Sequence, residues 1–213
     1  PEWIQLHHYD YERINGQNCL VREVGDEKKI IPVDVYCGVD PASSLSARAD
    51  FFVVATIGVD SDNNKYVIDI YRNRISPAEQ PQILIDKFKK YRPRRMKVET
   101  VGYQEALRVA VRDLMREENL YIPGLESGVK PRNSKSERLM SLVPMFARKQ
   151  FHFRPEDIEA QQEFLSYPKG KHDDIMDAVW TALDRHKPCR VKTFEENSKD
   201  TSLTKKVLDW MTM

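Results

Sequence analysis

The sequence predicts an α/β domain: a mixed five-stranded sheet, three antiparallel strands followed by parallel additions, flanked by helices. Three observations predict it. Residues 33–40, 51–59 and 65–71 are β-rich runs, the last two joined by the turn-forming stretch Asp-Ser-Asp-Asn-Asn at 60–64, which is the pattern of a three-strand antiparallel meander. Beyond them, short β-like runs at 95–99 and 121–125 alternate with helical periodicity, as happens where right-handed crossovers add strands to a sheet. The chain has 213 residues, 40% of them hydrophobic and 31% charged, which suits one α/β core with some terminal elaboration.

Residues 1–33 are mixed and polar, with a turn signal at Gly25-Asp26 and no clear period, and read as an arm or linker carrying one hairpin. The meander begins at Asp34. Ser76-Pro77 predicts a helix start, with Ser76 as N-cap, Pro77 in the first helical position, and Ile83, Leu84 and Phe88 on one face. A second helix is expected over 103–118, striped by Leu107, Val111 and Leu114, and further helices over 134–148, 156–166 and 172–186. The main domain therefore spans 34–187. Residues 188–213 form a polar tail with one apolar cluster, Val207, Leu208, Trp210 and Met211, suited to a flexible tail or a docking helix.

A formal net charge of +1 means that any nucleic-acid affinity must come from local patches and bound cations. Three basic stretches qualify: Lys87, Lys89, Lys90, Arg92, Arg94, Arg95 and Lys97; Lys130, Arg132, Lys135 and Arg138; and Lys169 with Lys171. The longest apolar run, 51–59, is too short to span a bilayer, so no membrane partner is expected. Cys19, Cys37 and Cys189 lie far apart with no Cys-x-x-Cys, which indicates neither a zinc ribbon nor a disulfide framework and fits a reducing compartment. The chain opens on Pro1 and carries no phosphate-binding Gly-x-x-x-x-Gly-Lys-Ser/Thr loop, so it reads as a piece of something longer.

Carboxylates stand at the positions where a mixed sheet places chemistry. Asp40 closes the first meander strand in Gly38-Val39-Asp40-Pro41-Ala42, and Glu99 closes the fourth in Lys97-Val98-Glu99-Thr100. Each alone reads as turn chemistry or a surface acid. The third signal is His172-Asp173-Asp174-Ile175-Met176-Asp177-Ala178 at the start of the last helix. On a helical wheel Asp173, Asp174, Asp177, Thr181 and Asp184 share one side, and Ile175, Met176, Val179, Trp180 and Leu183 the other. Helix capping needs one aspartate, whereas three within five residues repel one another unless a cation compensates. Magnesium takes oxygen ligands and keeps several waters, so carboxylates from three elements suffice for a site of two ions about 4 Å apart, one activating a water and one stabilising the leaving oxygen. Asp40 is the candidate to bridge both ions. Lys169 and Lys171 would offset phosphate charge nearby, His172 could orient a ligand or water, and His152, Trp180 and the Tyr and Phe residues are assigned to packing.

At these residues the chain resembles the C-terminal nuclease domain of the large terminase subunit of tailed bacteriophages, over about residues 34–185. Gly-Val-Asp-Pro-Ala at 38–42 resembles that family's first catalytic aspartate, Val-Glu-Thr at 98–100 its second acidic position, and Lys-His-Asp-Asp-Ile-Met-Asp-Ala at 171–178 its closing motif, the most specific of the three; the stretch from Ser134 through Phe153 resembles the segment before it. The resemblance implies an RNase H-like fold and a Mg2+- or Mn2+-dependent endonuclease, with two ions, that cuts concatemeric double-stranded DNA as a viral genome is packaged in the host cytoplasm. It implies Asp40, Glu99 and Asp174 as catalytic metal ligands, with Asp173 and Asp177 as assisting or alternative ligands. It also implies, as partners, the portal protein, the small terminase subunit and an ATPase domain of the same full-length chain.

Two other readings remain open. A RuvC-type junction resolvase or a transposase would share the chemistry but not the substrate, and a preference for branched over linear duplex DNA would favour it; RuvC-like resolvases use two aspartates three residues apart, as Asp174 and Asp177 are, so spacing alone does not rank the aspartates as ligands. A non-catalytic DNA-binding module would use the acids only as caps and ion pairs, and the triple-aspartate helix start argues against it.

Overall fold

Three strands run as expected: β5 (Asp34–Asp40), β6 (Phe52–Val59) and β7 (Lys65–Asn73) pair antiparallel in sequence order. They follow β1 (Gln5–Leu6), β2 (Asp10–Ile14), β3 (Gln17–Val24) and β4 (Glu27–Pro32), and precede β8 (Arg95–Val98) and β9 (Phe151–Phe153). The helices are α1 (Gln80–Tyr91), α2 (Gln104–Glu117), α3 (Lys135–Met140), α4 (Val143–Ala147), α5 (Ile158–Ser166) and α6 (Asp174–Leu183). These elements come from a computed structural model that describes residues 3–42, 51–99, 104–125, 134–170 and 172–191. Among the described residues no helix is long and apolar enough to cross a membrane.

The main sheet has six strands in the order β1-β9-β7-β6-β5-β8, with β8 parallel to β5 and β9 parallel to β7. Helices cover both faces, and period-two alternation sorts the side chains between them. Val35, Cys37 and Val39 of β5 pack with Leu84, Phe88, Leu107 and Val111 of α1 and α2. Tyr36 of β5 and Val53, Ala55 and Ile57 of β6 pack on the other face with Phe146, Phe164, Ile175 and Val179 of α4, α5 and α6. Positions 36, 38 and 40 share that second face, so Asp40 points toward α6.

Four expectations are corrected. Residues 121–125 form no strand: Pro123 has no N–H to give and Gly124 turns at φ +87°, so the segment supplies one backbone bond, to Met96. The fifth and sixth strands are instead β9 and β1. Residues 3–32 hold two hairpins rather than one, because Asn15 and Gly16 both adopt positive φ and close β2 onto β3, ahead of the Gly25-Asp26 turn. Ser76 caps no helix, since the Glu79 carboxylate accepts bonds from its amide and hydroxyl and α1 starts after that turn. The helix expected over 134–148 is two, because Pro144 can neither donate to the carbonyl of Met140 nor avoid it.

The three cysteines are buried, free thiols. His152 stacks on Tyr66 and Trp180 packs partly buried against the second core, as assigned. Of the tail, residues 188–191 are described, and the Cys189 amide bonds the Asp60 carbonyl; the apolar cluster at 207–211 lies outside the described residues.

Candidate active site

The parallel pair β5 and β8 brings two of the expected acids together, because Val39 faces Val98 in the ladder and the Glu99 amide donates to the Val39 carbonyl at 3.3 Å. Asp40 and Glu99 thus sit side by side where these strands end. The last helix crosses above them. A Cβ at Gly38 would lie 2.0 Å from the Ala178 carbonyl oxygen and 2.2 Å from the Ala182 amide, so glycine lets α6 rest its backbone directly on β5. That seat carries the start of α6 to the strand ends.

The aspartates at this helix start are not caps. Asp173 occupies the N-cap position but makes no side-chain capping bond, and its carboxylate takes a 2.6 Å bond from Lys135 instead. The capping work falls to Glu163 of α5, which accepts from the Met176 amide at 2.8 Å. Burial pushes the Glu163 carboxyl up to about 7, against the opposing pull of that hydrogen bond and of Arg72. Glu163 escaped notice in the sequence although its signal was there: an acid spaced with Ala160 and Phe164 on one buried helical stripe.

Asp177, expected on a polar face, is buried at 4% exposure. One of its oxygens meets Lys135 at 2.6 Å; the other, Oδ1, is buried with no hydrogen bond, its nearest cation being Arg138 at 3.6 Å. Arg138 also donates to Glu99 at 3.0 Å and lies over the Trp180 ring at 4.9 Å. The Ser134 capping box, closed by Glu137, fixes the short helix that carries both cations. Arg138, expected on a DNA-facing surface, is therefore an interior ion-pair partner, while Lys135 stays half exposed. Lys169 is exposed; Lys130, Arg132 and Lys171 lie outside the described residues.

Asp40 is where the charge is least balanced. Among the described residues no hydrogen bond or ion pair reaches its carboxylate, and burial first, then Asp177, Glu99 and Asp174, push its pKa up to about 8, with Lys135 pulling the other way. Glu99 is raised chiefly by burial, with Arg138 opposing. Burial opposes the Lys135 ammonium, yet its bonds to Asp173 and Asp177 lift it above the usual lysine range. Asp174 Oδ2 lies 3.7 Å from Arg72 and 3.8 Å from His172.

Among the described residues no three acidic, imidazole or thiol groups close on one point as a ready-made cage. Lys135 and Arg138 bridge Asp173, Asp177 and Glu99 where a cation would otherwise compensate them. The donor set is nonetheless that of a hard divalent ion: oxygens only, from three elements, with Asp177 Oδ1 buried without a hydrogen bond and Asp40 without an ion-pair partner among the described residues.

The first basic stretch behaves differently from a nucleic-acid patch. Lys87 pairs with Asp69, Lys89 with Glu118, Arg94 with Asp34 and Lys97 with Asp184, so much of its charge is already neutralised within the fold.

A mixed sheet flanked on both faces by helices, with acids gathered at the ends of its parallel pair β5 and β8 and at the start of the last helix, is the arrangement of an RNase H-like domain. Within that class, the sequence model of the terminase RNase H-like domain family matches residues 37–185, and the chain belongs to that family. The fold is shared with the magnesium-bound large terminase nuclease of the thermophilic phage G20c, at 17% identity over 87% of this chain and 94% of that one, with a TM-score of 0.56. It is shared too with the P22 large terminase nuclease domain, at 16% identity over 70% of this chain and 79% of that one (TM-score 0.53), and with that of Thermus phage P74-26, at 16% over 90% and 95% (TM-score 0.53). Structures of the G20c nuclease also hold zinc or cobalt. No curated protein matches the chain.

Proposed function

We propose that this domain is a divalent-metal-dependent endonuclease that cuts concatemeric double-stranded DNA during packaging of a viral genome. The observation that carries the reading is the convergence of Asp40, Glu99, Asp174 and Asp177, in which Asp40 has no ion-pair partner among the described residues. In this reading Asp40, Glu99 and Asp174 hold two Mg2+ or Mn2+ ions, with Asp173 and Asp177 assisting. Bound there, the ions would generate the hydroxide nucleophile and offset the charge on the leaving oxygen.

The residues of the chain have separate tasks. Asp40 lies between the acids of β8 and α6, the position from which one carboxylate can serve both ions. Glu163 holds the start of α6, and hence Asp174, by its bond to the Met176 amide. Lys135, half exposed, is free to swing from Asp173 and Asp177 toward a DNA phosphate once ions take over its pairing, and Lys169 stands at the adjoining cleft. The membership in the terminase family supports the packaging context, and with it an ATPase domain, the portal protein and the small subunit as partners in the host cytoplasm.

The test is plasmid nicking in Mg2+ or Mn2+ with Asp40→Ala and Asp174→Ala. Each is expected to lower the rate at least about a hundredfold, given that each removes a metal-site carboxylate, while leaving the circular-dichroism spectrum unchanged. Parental rates in both variants would overturn the assignment.

A further inference from the structure

Beside the acidic cluster, and on its β7 side, a polar cleft of about 520 Å³ opens between β7, α5 and the turn before α6. Its most unusual wall is Arg72. The side chain is only 14% exposed, and its Nε and Nη2 are buried without a hydrogen bond. Its guanidinium carbon sits 3.8 Å from the centre of the Phe51 ring, which fixes the plane of the fork. The acids it faces, Asp174 at 3.7 Å from Nη2 and Glu159 at 3.7 Å from Nη1, are near enough for attraction and too far for hydrogen bonds. A rigid, desolvated fork with unused donors thus walls the cleft, and an anion that displaces the loosely held acids would meet it.

Position along the sheet says which anion. Asp40 faces Val53 and Val53 faces Arg72 in successive ladders, so Asp40 and Arg72 lie in one row on one face, two strands apart. Two strand spacings are about 10 Å, close enough for one sugar-phosphate strand to reach both. Lys169 lines the same cleft and adds positive charge, and His172 adds an imidazole beside it. Glu159 and Glu163 oppose it, but Glu159 points largely to solvent and Glu163 is committed to the α6 amide.

We propose that this cleft binds a backbone phosphate of the DNA strand that is cut, gripped bidentately by Arg72 with Lys169 beside it, so that the neighbouring phosphodiester is held over the carboxylates. This rests on the nuclease reading above. Sequence alone hides the role, because Arg72 in Tyr71-Arg72-Asn73-Arg74 reads as an ordinary strand end until the register sets it across from Asp40.

The experiment measures duplex-DNA binding by fluorescence anisotropy in Ca2+, over a salt series, for the parental chain, Arg72→Ala and Arg72→Lys, alongside Mn2+ binding by calorimetry and plasmid nicking in Mn2+. Arg72→Ala should weaken DNA binding roughly tenfold, the loss expected for charge-assisted bonds to one phosphate, and lower the salt slope by about 0.9. Arg72→Lys should keep the slope and lose part of the affinity, with Mn2+ binding unchanged in both variants. An unchanged slope together with weakened Mn2+ binding would overturn the proposal, making Arg72 only a support for Asp174. A slope reduced by Arg72→Ala, together with a parental chain that never nicks DNA, would sustain the cleft and remove the nuclease reading instead.

Discussion

At its C-terminal end α6 gives way to Asp184, whose carboxylate pairs with Lys97 and whose carbonyl oxygen takes bonds from both Lys97 and Arg95. At its N-terminal end Asp173, Asp174 and Asp177 meet Asp40 and Glu99, and the cations there, Lys135, Arg138 and Arg72, leave Asp40 uncompensated. The two ends teach that an acid beside a strand end is not by itself a chemical signal. Asp184 is a closed account of charge, held by partners that satisfy it. The opposite end has an excess of oxygens, and excess is what a divalent ion would use.

The sharpest way to break this comparison is to remove one cation at each end. Arg138 is 7% exposed and compensates both Glu99 and Asp177, so Arg138→Ala should cost about 3–5 kcal/mol of stability without divalent ions, the range for stranding a buried charge. Lys97→Ala should cost less, about 1–3 kcal/mol, because the Asp184 carboxylate keeps some solvent and its carbonyl oxygen keeps the Arg95 bond. Adding Mn2+ should recover much of the first loss and none of the second, read by thermal unfolding. Equal recovery at the two ends, or none at either, would dissolve the distinction.

The ends are joined by a seat that allows no side chain. Gly38→Ala would place a methyl within 2.0 Å of the Ala178 carbonyl, backbone that cannot swing aside, so α6 must lift or slide. About 1–3 kcal/mol of overpacking strain is expected, and a helix displaced from the strand ends should lose Mn2+ binding as well. Full Mn2+ affinity in this variant would mean that the acids do not depend on the register of α6 over β5.

Much of this was readable from residues. The meander, the amphipathic stripes of α2 and α6 and the three acidic positions follow from local pattern, because strand alternation and helical period are local properties. What escaped was set by long-range partners. The strand β9 is three residues of Phe-His-Phe, too short to carry a period, and β1 exists only because Gln5 and Leu6 find β9. Arg138 looked like a surface cation because charge in sequence says nothing of burial, and its contacts with Glu99, Asp177 and the Trp180 ring, all distant in sequence, make it interior. Gly38 is the opposite case, a single glycine inside a β-rich run that marks close backbone approach.

The last effect concerns protons, and it distinguishes an acid in excess from one that is paired. The folded Asp40 carboxyl is raised to about 8 from an ordinary value of 3.8, chiefly by burial and then by Asp177, Glu99 and Asp174. A raised carboxyl binds its proton more tightly when folded, so ionising it costs stability. That cost is absent below the ordinary carboxylate range and grows as pH rises toward 8, at most about 1.4 kcal/mol per pH unit. The metal-free protein should therefore lose stability between pH 6 and 8, and Asp40→Asn should flatten that slope and raise the unfolding temperature at pH 8. Asp184→Asn, which removes an acid that Lys97 already holds, should do neither, and urea titrations of both variants across the interval measure the difference. A slope that survives Asp40→Asn unchanged would move the effect to Glu163 or Glu99, both also raised by burial, and leave Asp40 an ordinary strand-end acid.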